Sequence, residues 1–87
     1  MSEYHLTIST PDGNAFDGQV EMLTLRGCEG DLAVLAGHAP FVTSVVPCKC
    51  TVVFSDDTER TADISGGLLT VCKDKTILLC SEFKFDE

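Results

Sequence analysis

Positive charge is scarce in this sequence and never gathers. The six bases, Arg26, Lys49, Arg60, Lys73, Lys75 and Lys84, lie scattered among 14 acids, for a formal charge of −8. Nucleic-acid binding requires clustered Lys and Arg to displace counterions from phosphate, so that class is excluded. An anionic membrane surface repels the chain for the same reason, and direct lipid binding is not expected. Long apolar runs are missing as well, since no stretch approaches the ~18 residues of a membrane helix. The opening MSEYHLTIST has neither a basic start nor an apolar core of signal length. Cysteines stand at 28, 48, 50, 72 and 80, an odd number that argues against a disulfide framework. They read as reduced thiols of a cytosolic compartment, used mainly as small core hydrophobes. The excess of acid serves solubility or, on a sharper reading, a basic partner protein.

What is present is the material of one small β domain. Its 87 residues, 44% hydrophobic and 23% charged, suffice for a core but leave little room for a deep enzyme cleft. The hydrophobic period is two. Tyr4, Leu6 and Ile8 alternate with His5, Thr7 and Ser9. Pro11-Asp12-Gly13 is a turn, and residues 14–18 form a short edge piece. In QVEMLTLRG the apolar phase slips, which predicts a β-bulge near Met22. Residues 32–35, 41–46, 49–54, 59–64, 68–72 and 76–80 read as further strands, separated by Pro47-Cys48, Ser55–Thr58, Ser65-Gly66-Gly67 and Lys73-Asp74-Lys75. Short strands punctuated every ~8–12 residues predict an all-β sandwich or barrel. The sandwich is expected over residues 1–82, and SEFKFDE, with residues 83–87 as its end, reads as a short, polar, frayed tail.

Chemistry finds little purchase. Only His5 and His38 are available as bases, and no spacing brings Cys28 to His38 as an activated nucleophile pair. Cys48 and Cys50 point to one face of a strand, but a structural zinc needs a second pair of ligands. Ser65-Gly66-Gly67 lacks the GK[ST] of a phosphate loop and reads as a glycine kink where two backbones approach closely. No catalytic, cofactor-binding or metal residue is therefore assigned. Two glycine-punctuated loops remain, Gly27–Asp31 and Ala36–Pro40, flanking one short strand. Specialised loops on a rigid scaffold commonly carry binding, and tight β-connections look the same; spacing alone does not choose between them.

The ordered series YHLTISTPDG, AFDGQVEMLTLRG, GCEGDLAVLAGHAPFVT, DISGGLLTV and KDKTILL resembles the N-terminal domain of the epsilon subunit of rotary F-type ATP synthases, called delta in mitochondria. The resemblance covers roughly residues 3–80. It implies a sandwich of about ten short, mainly antiparallel strands without an active site. It also implies a non-catalytic central-stalk subunit that docks the gamma subunit onto the membrane c-ring and couples ion flow to ATP synthesis or hydrolysis. The implied location is peripheral, on the cytoplasmic side of the bacterial inner membrane. By the same resemblance, Glu29, Asp31 and His38 face the c-ring, where acids would meet basic loop residues through charge-assisted hydrogen bonds. The chain departs from the family at Ala36, usually proline, and at Cys48, usually glycine. It stops where the family's C-terminal helical hairpin would begin, so neither inhibition by such helices nor ATP binding is expected. Two other classes compete: a free-standing β-sandwich that binds a small ligand, and a thiol or metal enzyme using Cys28, Cys48, Cys50 and the histidines.

Overall fold

Alternation of period two becomes ten strands among the described residues. A computed structural model of the chain describes residues 2–37, 39–73 and 75–86. The strands are β1 (Tyr4–Thr10), β2 (Gly13–Val20), β3 (Met22–Gly27), β4 (Gly30–Leu35), β5 (Phe41–Val45), β6 (Cys48–Val53), β7 (Glu59–Ile64), β8 (Gly67–Val71), β9 (Lys75–Cys80) and β10 (Phe83–Phe85). No helix occurs among the described residues. The ladder runs β10-β7-β6-β3-β5-β8-β9-β1-β2, with β4 paired to β3. The β1–β9 pair is parallel, and the neighbouring pairs, such as β8–β9 and β6–β7, are antiparallel.

The ladder folds over at β3, which hands its pairing from one strand to another. Met22, Leu23 and Thr24 pair with β6, whereas Gly27 pairs with Val45 of β5. Two layers result, β4-β3-β6-β7-β10 and β5-β8-β9-β1-β2. Inward residues of both layers meet in the core, where Leu6, Ile8, Val20, Leu23, Leu69 and Leu78 are fully buried. Each such side chain contributes roughly 1.5–3 kcal/mol relative to exposure. Tyr4 ties the layers together: its buried hydroxyl donates to the Val34 carbonyl at 2.9 Å, and burial pushes its pKa well up.

The phase slip in QVEMLTLRG is a corner, not a bulge. β2 ends at Val20, Glu21 forms a buried bend whose N–H donates to the Val53 carbonyl at 2.8 Å, and β3 begins at Met22. The apolar phase resets because the chain changes layer. The register shift of β1 on β2 lies instead between Ile8 and Ser9. The edge piece expected at 14–18 is the middle of an eight-residue strand.

The expected frayed tail is also corrected. Phe83, Lys84 and Phe85 pair with Ile64, Asp63 and Ala62, and both phenylalanines pack on the core. Phe85 stands edge-on to Phe16 at 6.1 Å, and the Arg60 guanidinium lies 3.8 Å from its ring centroid. Asp86 accepts from Lys49 Nζ at 2.6 Å and from the Thr61 hydroxyl at 2.5 Å. Two alternating aromatics outweigh the polar residues around them.

The Ser65-Gly66-Gly67 kink is the close approach that its composition predicts. A Cβ on Gly67 would lie 1.9 Å from the Leu79 carbonyl oxygen. Gly66 has φ +101°, and a Cβ there would meet the Val45 carbonyl at 2.8 Å. β8 can lie against β9 and β5 only because these side chains are missing.

Candidate docking surfaces

The β3–β4 hairpin carries the first surface. Its register runs from Met22–Leu35 to Arg26–Asp31 and Gly27–Gly30, leaving Cys28 and Glu29 at the tip. Gly30 has φ +126°, a backbone that an L side chain adopts only with strain, so glycine there permits the tight reversal. The tip is clamped to β5: Cys28 N–H donates to the Ser44 carbonyl and Val46 N–H to the Arg26 carbonyl, each at 3.1 Å. Hydrogen bonds from Ser44 and then Thr43 hold the exposed Cys28 thiol below its usual pKa.

Glu29 and Asp31 are both exposed on this hairpin. They line one shallow concavity with Gly27, Leu32, Phe41 and Val42. The start of β5, the segment that follows the Ala36–Pro40 loop, is thereby brought to the acidic tip. His38, the third residue expected at this surface, lies outside the described residues. Asp31 is already engaged, accepting from Arg26 Nε at 2.8 Å. That pairing raises the Arg26 pKa, through the hydrogen bond first and its charge second. Glu29 makes no hydrogen bond or ion pair with the described residues.

The second surface is the outer face of β5, β8 and β9, which residue spacing left unassigned. Leu68 pairs with Leu79 and Thr70 with Ile77, while Ser44 and Val42 pair with Leu68 and Thr70. Partners in a ladder point to the same side, so these residues share one face. Val42 is 61% exposed, Leu68 41% and Leu79 47%. The three strands read FVTSV, GLLTV and KTILLC and contain no acid, in a chain with 14 Asp and Glu. A signal was available: Leu68-Leu69 and Ile77-Leu78-Leu79 break alternation by placing apolar groups on both faces of their strands.

The thiols offer no reactive centre in the core. Burial pushes Cys50 up to about 12 and also raises Cys80, which keeps both protonated. Cys48 is half-buried, its sulfur accepting from the Arg26 N–H at 3.4 Å. His5 lies on the outer face of β1, against Asp17 of β2.

Comparison with known proteins gives a consistent result. Residues 3–85 match the family described as the beta-sandwich domain of the ATP synthase Delta/Epsilon chain. The sodium-ion-specific ATP synthase epsilon chain of Acetobacterium woodii is 33% identical over 84 residues, covering 97% of this chain and 63% of that protein. The ATP synthase epsilon chain of Caulobacter vibrioides is 39% identical over 71 residues, covering 82% of this chain and 81% of its own. Among solved structures, a chain of the Euglena gracilis mitochondrial ATP synthase, in an assembly described as OSCP/F1/c-ring, superposes with a TM-score of 0.91 at 25% identity, covering 98% of this chain and 54% of that one. The chain thus spans a little over half the length of several proteins it matches.

Proposed function

The chain belongs to the β-sandwich family of ATP synthase delta and epsilon chains, and from that premise we propose that it serves as a non-catalytic central-stalk subunit. In this reading it docks a gamma subunit onto the c-ring and so couples ion translocation to ATP synthesis or hydrolysis. It acts peripherally on the cytoplasmic side of a bacterial inner membrane. The observation that carries the reading is a pair of adjoining surfaces of opposite character. The acidic β3–β4 tip, with Glu29 and Asp31, suits polar, basic ring loops. The acid-free face with Val42, Leu68 and Leu79 suits the apolar flank of a stalk partner. Val42 belongs to both surfaces, so one rigid body spans ring and stalk.

Torque transmission asks for rigidity, not for chemistry. The two layers share a continuous core, and the hairpin tip is clamped to β5 by two backbone hydrogen bonds. No reacting group is required, and no ATP binding is expected of these residues. The test is affinity purification of the tagged chain from native membranes. Gamma and the catalytic subunits should accompany it, and Val42→Asp with Leu79→Asp should release gamma while leaving the β-type circular dichroism unchanged. Purification without those subunits, or saturable micromolar ATP binding by the isolated chain, would overturn the assignment.

A further inference from the structure

We propose that Arg26 tunes the acidic hairpin by competing in cis with the partner's cation for Asp31; this rests on the ring-docking reading above. Arg26 and Asp31 face each other across the last register pair before Gly27–Gly30. The Arg26 Nε donates to Asp31 Oδ1 at 2.8 Å, with the two side chains 61% and 77% exposed. Glu29, two residues earlier, has no such bond among the described residues. The two carboxylates at the tip are therefore not equivalent. Glu29 is available to an incoming cation, and Asp31 must first release or share its guanidinium.

The consequence has a sign. An exposed ion pair carries an equilibrium weight of about two- to fivefold. Docking that recruits Asp31 loses that factor. Arg26 also cancels one of the two negative charges at the tip, which lowers the attraction that steers a basic loop toward it. A partner that engages Glu29 alone breaks no ion pair and meets only the weakened steering. Arg26 thus discriminates between loops that present one cation and loops that present two.

The experiment uses the full chain bound to its gamma subunit and measures its binding to the purified c-ring of its own complex in nanodiscs, across a salt series. Arg26→Gln should tighten binding two- to fivefold, mainly through faster association at low salt, and steepen the salt dependence. In an Asp31→Asn background the gain should shrink to the part that comes from removing a cation near the tip, because no ion pair is left to release; a merely structural role for Arg26 would show no such dependence on Asp31. If Arg26→Gln binds equally or more weakly while Glu29→Gln weakens binding, the competition idea is wrong and ring docking stands. If Glu29→Gln and Asp31→Asn both leave affinity unchanged, or the wild-type pair does not bind the ring, the docking reading itself falls.

Discussion

Gly67 shows how one residue holds two strands at their closest approach. With the Leu79 carbonyl oxygen 1.9 Å from where a Cβ would sit, an added methyl must push β9 from β8. Gly67→Ala is expected to cost at least the ~1–3 kcal/mol typical of overpacking, read as a lower denaturation midpoint. At the exposed tip the expectation is reversed. Glu29→Lys with Asp31→Lys should cost no more than about 1 kcal/mol, the size of the exposed Arg26–Asp31 pair it removes, while weakening ring docking. An unchanged coupling between ring and catalytic subunits in that double variant would remove the hairpin from the interface.

At the scale of an element, β10 is the segment whose stability depends most visibly on charge. Asp86 sits below the ordinary carboxylate pKa, held there first by the hydrogen bond from Lys49 and then by that from Thr61. A depressed folded pKa adds stability above the unfolded value near ~3.9 and loses it as pH falls through the folded value. Protection factors of the amides in residues 83–86, taken against the intrinsic exchange rate at each pH, should therefore fall in that acid window, and Asp86→Asn should abolish the pH step. Phe85→Ala tests the apolar half of the same anchor. Because Phe85 is only partly buried, its loss should cost less than the ~3–5 kcal/mol of a fully buried phenylalanine. The period-two pair Phe83 and Phe85 was legible in the sequence; the polar residues around it obscured the strand.

For the whole molecule, the two proposed docking surfaces respond oppositely to ionic strength. Exposed charge pairing at the hairpin is screened as the Debye length falls from about 10 Å at 0.1 M to about 3 Å at 1 M salt. Apolar contact at Val42, Leu68 and Leu79 is not weakened in this way. Raising salt should release the chain and gamma together from the ring before it separates them from each other. Release of gamma first, followed by subunit-by-subunit mass spectrometry, would reverse the assignment of the two faces.

Strand positions, turn positions and the all-β class depend on residues two to four apart, and alternation with proline and glycine chemistry carries that information along the chain. The ordered segments from YHLTIST to KDKTILL were sufficient for family membership. Placement of the surfaces required pairing over long separations: Val45 against Gly27, Lys75 against His5, Phe85 against Ala62. Only that folding-over joins the hairpin tip to the start of β5 and gathers Val42, Leu68 and Leu79 on one acid-free face, whereas Arg26 meets Asp31 within the β3–β4 hairpin itself. A side chain's direction follows from local parity, but its neighbours across the sheet follow from register, which the backbone sets once the core has chosen its partners.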